Sequence, residues 1–479
     1  MNPPFLPRFS RGQRSPGVTK GGTLYYPYWL AYACGWAQKS GFQVHLFDFV
    51  ASGDGFTVAV NKIQKQKPDL VVIETSTPSI YSDIKFAQKL KSKTNALVVL
   101  VGTHVSSLSK ETLRSASRRT QGKIDAVTVG EYDQTIVDLA KALAKNQALT
   151  KVRGLVYWQK GRIVSNSPRE LLKGLDDFPF VSQIYKKFLS PKDYYFAAAD
   201  WPMVMLVSGR GCPFGCFFCL WPQTLHGLRY RTRSPKNLAA EFAYISQNMP
   251  EIREVVIEDD TFTTYIDRVK EFCRLLIKQK NQLKWSTNAR VSLDLPTMKL
   301  MKRAGCRLLI AGYESGNQKV LEGMDKKIKL SQSLRFAENA QKACLLVHGC
   351  FMVGNPGETL ETMHQTLDFA KRLFPDSAQF YPLFVYPGTR AYDWAKTKGY
   401  LKAKDFRGWI NAKGAHQCVI DLPGLSAQEM VSFCNHAYWE YHLQPKYLVK
   451  KLGQLILNPS EGRRSLRSAW RYFKGILNL

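Results

Sequence analysis

At 479 residues the chain is too long for one compact domain, and its 45% hydrophobic and 12% aromatic content excludes wholesale disorder. Ten cysteines are too few for a disulfide scaffold, no apolar run reaches the ~18–20 residues that cross a bilayer, and MNPPFLPRFSRGQR lacks the apolar core of a signal peptide. A soluble protein of a reducing cytoplasm is expected. The 68 Lys and Arg against 38 Asp and Glu, a net +30, favour an anionic partner: nucleic acid, an anionic membrane surface, or a phosphorylated or carboxylated substrate.

In chain order, residues 24–150 alternate helical and strand patterns. YPYWLAYACGWAQKSG reads as a helix leading into a strand at Val44, Leu46 and Phe47 that ends near Asp48. The helix GFTVAVNKIQKQ precedes a strand at Leu70–Ile73, and DIKFAQKLKSK one at Ala96–Val101. A further helical segment precedes Ala126–Val129, and TIVDLAKALAK closes the unit. Short apolar strands separated by helices predict a parallel, doubly wound α/β sheet over 1–150, with ligands beyond the strands' carboxyl ends. Those ends read Glu74-Thr75-Ser76-Thr77-Pro78-Ser79, then Gly102-Thr103-His104, then Gly130-Glu131-Tyr132, mostly small or polar as a ligand rim needs. No GxGxxG follows a strand there, which disfavours a nicotinamide or flavin unit.

Residues 151–200 read as a connector with a hairpin at GLVYWQKGRIVSN. From 201 to 400, six strand–helix units follow, with strands at 203–208, Glu254–Ile257, Leu283–Ser286, Arg307–Ala311, Leu345–Met352 and Ala378–Val385. They predict an open or partial (β/α)6 barrel whose site lies at the carboxyl ends of its strands. Residues 401–479 are predicted mainly helical, and 443–479 hold eight Lys or Arg and one Glu. Tyr447, Leu448, Leu452, Leu455 and Ile456 are expected on one helical face; Leu466, Trp470, Phe473 and Leu477 repeat the pattern. Such helices suit peripheral membrane binding. A helix packed on the barrel with a solvated basic face, or RNA contact, fits the same pattern.

The strongest chemical signal is SGRGCPFGCFFCLWP, which sets Cys212, Cys216 and Cys219 at C-x3-C-x2-C spacing after a predicted strand. Three thiolates on one loop can hold three irons of a [4Fe–4S] cluster and leave the fourth open. Gly211 and Gly215 permit the turns, and Phe214, Phe217 and Phe218 would shield the cluster. The alternatives are zinc, which needs a fourth ligand from elsewhere, and a chance grouping of core cysteines. Cys34, Cys273, Cys306, Cys344, Cys350, Cys418 and Cys434 show no ligand-like pairing and read as buried thiols.

This loop, after the first strand of a predicted partial barrel, resembles the radical S-adenosylmethionine superfamily. The N-terminal unit is similar to that of the cobalamin-binding branch, which includes methylases and the anaerobic magnesium-protoporphyrin monomethyl ester cyclase. The NPPF start, SRGQRSPG and the TSTPS segment match that branch. Tyr230-Arg231-Thr232-Arg233-Ser234 stands where the family has R-x-R-S, and Glu258-Asp259-Asp260 ends the second strand, where relatives bind the methionine amino group. Gly312–Gly316 resembles the G-x-E-S-G turn, Gly354–Thr359 the G-x-P-G-E-T turn, and Tyr386–Thr389 the P-G-T turn. The resemblance implies S-adenosylmethionine contacts at Phe218, Asp259, Asp260, Arg290, Glu314, Ser315, Gly354 and Pro356. It implies cobalamin contacts at Thr75, Ser76, Ser79, Gly102, Thr103, His104, Gly130 and Glu131. The D-x-H-x-x-G cobalt-ligand motif of many cobalamin-dependent methyltransferases and mutases is absent. The resemblance does not require a histidine, because in this branch the corrinoid can bind without one, and His104 reads as a cobalt ligand or a rim histidine. Relatives carry a hydrophobic strand before the Asn-Pro-Pro segment, so here the first strand is expected to be missing or truncated, or the start to lie upstream.

The activity so implied is methylation of an unactivated carbon on a small-molecule or lipid substrate. A 5′-deoxyadenosyl radical would remove the hydrogen and methylcobalamin would supply the methyl group, with an electron donor such as flavodoxin or ferredoxin. Oxidative cyclisation or rearrangement of the porphyrin cyclase type is the alternative, and a non-catalytic binding protein is a further one. An RNA-modifying methylthiotransferase would carry more N-terminal cysteines than the single Cys34 of residues 1–150.

Overall fold

A computed structural model describes residues 1–117 and 124–478, with side chains described except at 459, 460 and 471–478. Two sheets organise it. The first runs β1 (Leu70–Glu74), β2 (Leu97–Val101), β3 (Ala126–Thr128), β4 (Leu155–Gln159) and β5 (Arg162–Ser165), in that order. β1 to β3 are parallel, as their near-continuous Val, Ile and Leu content demands of strands covered on both faces. The hairpin β4–β5 is not a free connector. Ala126 pairs with Tyr157 and Thr128 with Leu155 in antiparallel register, so this sheet continues past residue 150.

The strand expected at Val44–Phe47 does not form. Asp48 makes a single parallel bridge to Asn2; the Asn2 N–H donates to the Phe47 carbonyl (2.9 Å) and the Phe49 N–H to that of Asn2 (3.0 Å). On its other side the Met1 carbonyl accepts from the Glu74 N–H at 3.1 Å. Residues 1–2 therefore lie between β1 and residues 47–49. In this parallel register Pro3 and Pro4, which have no N–H, run alongside residues 49–50, and residues 44–46 have no ladder partner among the described residues.

The second sheet carries six parallel strands in sequence order: β6 (Met203–Leu206), β9 (Glu254–Ile257), β10 (Lys284–Ala289), β11 (Cys306–Glu314), β12 (Leu346–Val353) and β13 (Ser377–Pro382). Between β6 and β9 a two-rung antiparallel ribbon, β7 (Gly209–Arg210) with β8 (Arg231–Thr232), brackets the cysteine loop. Connecting helices begin on side-chain caps at Ser234, Asp294 and Thr359, which set where each strand must end and release its turn.

Helix Ala427–Leu443 lies against the edge strand β13, tied by the Tyr441 hydroxyl to the Pro375 carbonyl at 2.6 Å. Helices Pro445–Leu457 and Pro459–Asn478 follow. Tyr447 is buried while Leu448, Leu452 and Ile456 are exposed, so the five residues expected on one face are divided between two. Leu466 and Trp470 are exposed; Phe473 and Leu477 lie outside the described side chains. Among the described residues no helix is long and apolar enough to cross a membrane.

Candidate active site

The cysteine loop is held open by its glycines and pinned by its neighbours. Gly211 has φ +90°, and a Cβ there would stand 2.2 Å from the Arg229 carbonyl, so only glycine lets the two arms of the ribbon close. The Gln223 amide donates to the carbonyls of Cys216 (3.2 Å), Phe217 (3.2 Å) and Cys219 (2.8 Å). The Phe217 N–H donates to Met324 at 3.0 Å, and Arg390 to the Gly215 carbonyl. Burial pushes the Cys212 and Cys219 thiols up, so a bound cation is what would make them thiolates. Among the described residues no three His, Cys, Asp or Glu side chains gather as a single ion requires. A cubane distributes its three thiolates over three irons, so the loop fits a [4Fe–4S] cluster rather than zinc. Phe214 lies 3.6 Å beneath the Arg290 guanidinium, Phe217 packs on Trp394, and Phe218 lies 5.9 Å from the Lys326 ammonium.

At the carboxyl ends of the second sheet, the expected methionine-side residues divide. Asp259 is fully buried, and its carboxylate accepts from the Ser208 N–H (2.5 Å) and hydroxyl (2.6 Å), the Gly209 N–H (3.0 Å) and the Tyr230 hydroxyl (2.7 Å). Its carboxylate is thus engaged in holding the turn from β6 into the loop. Asp260 keeps one oxygen unpaired. Its Oδ2 accepts from the Gly211 N–H (2.7 Å) and pairs with His226 Nδ1 (2.8 Å), while Oδ1 is buried with no partner. Burial alone would raise this carboxyl; His226 and then Arg14 overcome it and keep it ionised.

Arg290 donates to the carbonyls of Lys326 (2.8 Å) and Lys327 (2.6 Å), clamping Phe214 to that turn. Glu314 sits at φ +64° and its Oε1 accepts from Lys326 at 2.6 Å; a Cβ on Gly312 would stand 2.4 Å from the same oxygen. Ser315 is spent internally, 3.2 Å from the Thr366 hydroxyl and accepting from the Asn317 N–H at 3.1 Å. Gly354 donates to Glu358 at 3.0 Å, and the Pro356 carbonyl lies where a Cβ on Gly323 would reach it at 2.7 Å, so both brace their turn. Asn355 between them is fully buried with both amide atoms unpartnered. No signal in the Gly-Asn-Pro-Gly sequence marks this residue, whose unpartnered amide follows from the burial of the turn.

The first sheet's strand ends are more fully committed. The Thr75 hydroxyl donates to the Val101 carbonyl (2.8 Å), and Gly102, at φ +113°, is needed because a Cβ would stand 2.5 Å from the Thr75 carbonyl. Ser76 bonds Ser79 (2.8 Å), Ser79 bonds Asp83 (2.6 Å), and Asp83 makes a fully buried ion pair with Arg11 at 2.7 Å. Thr103 is buried at the start of a short helix. His104 does not face an open rim: its Nδ1 is 3.1 Å from the Thr77 hydroxyl, Phe406 packs on its edge, and burial lowers it to about 3. Gly130 takes φ +75° beside Leu225. Glu131 is buried in a two-pronged pair with Arg231, Arg210 standing 3.9 Å away.

These contacts bring the carboxyl ends of both sheets together. Between them runs the segment Ser10–Gly17, with Arg11 reaching Asp83 on one side and Arg14 pairing with Glu258 and lying 4.2 Å over the Trp221 ring on the other. A Cβ on Gly12 would be 3.8 Å from both the Glu74 carboxylate and the Trp29 ring. Around this seam, Glu74 Oε2, Tyr132 Oη, Trp29 Nε1, Glu258 Oε2 and Asp260 Oδ1 are buried without a hydrogen-bond partner among the described residues. Burial lifts Glu74 to about 7. Buried polar atoms in a folded chain are normally paired, so a row of orphans marks where an amide-rich ligand would complete the bonding. Glu74 and Tyr132 lie at the strand ends expected to form a ligand rim, whereas Arg14, His226 and Trp29 were not legible as site residues, because each gains its role from a neighbour far away in the chain.

A family model for the radical SAM superfamily matches residues 206–370. The uncharacterized methyltransferase PH0819 of Pyrococcus horikoshii is 31% identical over 434 residues, 90% of this chain and 91% of the relative. The anaerobic magnesium-protoporphyrin IX monomethyl ester cyclase of Cereibacter sphaeroides is 28% identical over 375 residues, 76% of this chain and 59% of that one. The solved structure of the radical S-adenosylmethionine methyltransferase TsrM of Kitasatospora setae, with cobalamin and a [4Fe–4S] cluster bound, shares the fold. Its TM-score is 0.70 at 16% identity, over 88% of this chain and 87% of TsrM.

Proposed function

The chain belongs to the radical S-adenosylmethionine superfamily, and from that membership we propose a cobalamin-dependent methyltransferase that acts on an unactivated carbon of a small-molecule or lipid substrate. The observation that carries this reading is the seam itself: a cysteine loop and free acceptors on one side, unpartnered Glu74, Tyr132 and Trp29 on the other. Residues 1–150, with the hairpin to 165, form the cobalamin-binding-like domain. The rest of 151–200 connects it to a partial barrel over 201–400, and 401–479 form the helical basic region.

When bound, the cluster supplies the electron that cleaves S-adenosylmethionine and the corrinoid carries the methyl group. The chain's own part is positioning and exclusion of water. Cys212, Cys216 and Cys219 would hold three irons. Asp260 Oδ1, buried without a partner, would accept from the methionine ammonium, and the unpartnered Asn355 amide would offer one donor and one acceptor to the adenine edge. Arg14 pairs with Glu258 between the two halves, and Trp29 and Trp221 wall the seam with apolar surface. His104 is engaged by Thr77 and covered by Phe406 at this strand end. Flavodoxin or ferredoxin, both acidic, would approach the exposed side of the loop at Pro213 and Leu228, beside Arg229 and Arg390.

Oxidative cyclisation is the second reading, favoured by the 28% identity to the porphyrin cyclase. Anaerobic reconstitution with iron, sulfide and cobalamin tests the first: about four irons and one corrinoid per chain are expected. Isotopically labelled S-adenosylmethionine should then pass its methyl group to product. Iron and corrinoid without methyl transfer to product would favour cyclisation, iron without corrinoid would overturn the methyltransferase reading, and neither cofactor would overturn both.

A further inference from the structure

Helix Pro445–Leu457 is built inside out. Its cations and aromatic face the protein: Lys450 Nζ is 3.0 Å from Asp376 and 4.7 Å from the Phe374 ring, Lys446 lies 4.6 Å from the same ring, and the Tyr447 hydroxyl donates to the Asp376 carbonyl at 3.0 Å. Lys451 is turned in as well, donating to Gln454 at 2.9 Å. The aliphatic side chains face out: Leu452 is 60% exposed, Ile456 79% and Leu457 86%, with Leu448 and Val449 beside them. The next helix is anchored by Glu461, which bridges Arg307 and Arg464, and it adds the exposed Leu466 and Trp470. A core-packed amphipathic helix shows the reverse arrangement, and an exposed apolar surface of this extent marks an interaction site.

Charge selects what covers it. The eight Lys or Arg against one Glu in residues 443–479, on a chain of net +30, make two copies meeting through this face repel each other, whereas an anionic bilayer attracts it. The surface is a helix ridge of aliphatic side chains with a tryptophan, which a fluid acyl layer accepts without a matching groove. We propose that residues 445–478 form an interfacial anchor that lays the Leu448–Leu457 face into an anionic membrane surface. The anchor stands independently of the methyltransferase reading.

The test is sedimentation of the full-length protein with vesicles of phosphatidylcholine alone or with phosphatidylglycerol added. Binding to the anionic vesicles should exceed that to neutral ones at least ~10-fold and weaken with salt. Leu452→Glu/Ile456→Glu should abolish it with an unchanged melting temperature; the milder Val449→Ser/Leu457→Ser pair repeats the test should the first variant unfold early. Three results would overturn the proposal: no binding to anionic vesicles, binding that both variants retain, or a wild-type dimer in solution that the variants dissolve while vesicle binding is absent.

Discussion

The two carboxyl-edge surfaces look alike in composition and differ in what they have left to give. On the first sheet, Thr75, Ser76, Ser79 and Glu131 are bonded to Val101, Asp83 and Arg231, so these small polar residues secure the strand ends and join the two halves. On the second sheet, Asp259 is spent in the same way, but Asp260 and Asn355 retain buried atoms without partners. A polar strand end is therefore a site only where the chain has not already used it.

The largest expected effect separates the halves by cofactor. Cys216→Ala should reduce reconstituted iron from about four per chain to less than about one, by colorimetric iron assay, while urea unfolding of the unloaded protein stays within about 1 kcal/mol. Glu131→Ala should do the opposite. By leaving Arg231 buried opposite no carboxylate, it should cost about 3–5 kcal/mol in urea unfolding, and Glu131→Leu/Arg231→Met should recover most of it. A loss of corrinoid binding with stability intact would place Glu131 in the site.

Next comes Glu74. Its carboxyl is raised by burial from the ordinary 4.5 to about 7, so the folded chain holds this proton more tightly than the unfolded one. Its contribution to stability is complete below pH 4.5 and is lost as pH rises through 7, a difference of roughly 3 kcal/mol. Subtracting the stability-versus-pH curve of Glu74→Gln from that of the wild type should expose that slope; parallel curves would mean that Glu74 is paired in solution. The smallest effect is at Asn355. Asn355→Leu should lower S-adenosylmethionine affinity about 10-fold in equilibrium binding, as the loss of about one hydrogen bond implies, and should not destabilise the unloaded protein. A destabilised variant with unchanged affinity would make Asn355 a packing residue.

Most elements were legible because their signals are local. The helices at Tyr28–Lys39, Phe56–Lys65, Ile80–Lys91 and Asp133–Ala144 and the six strands of the second sheet fall within a few residues of their periodicity. The miss at Val44–Phe47 has a plain reason: apolar alternation states that a strand could form there, but a strand exists only if a neighbour supplies the ladder, and Met1–Asn2 supply one bridge. In the site, the cysteine loop was legible because its three ligands lie within eight residues of each other. Arg11 and Arg14 were visible only as part of a matching segment. Nothing in Ser10–Gly17 tells that one arginine turns to Asp83 and the other to Glu258.

What could be read from the amino acids alone is the chemistry carried by neighbours in the chain: thiol spacing, glycine turns, the alternation of strands and helices, and the surplus of positive charge. What required the folded molecule is the pairing of residues 72, 100 and 244 positions apart, in Arg11–Asp83, Glu131–Arg231 and Arg14–Glu258. Local backbone preference acts within a few residues, whereas hydrogen-bond satisfaction in a buried seam is settled only when distant strand ends meet. For the same reason the side chains of His104 and Asp259 are engaged within the protein, while Asn355 and Glu74 keep buried atoms without partners.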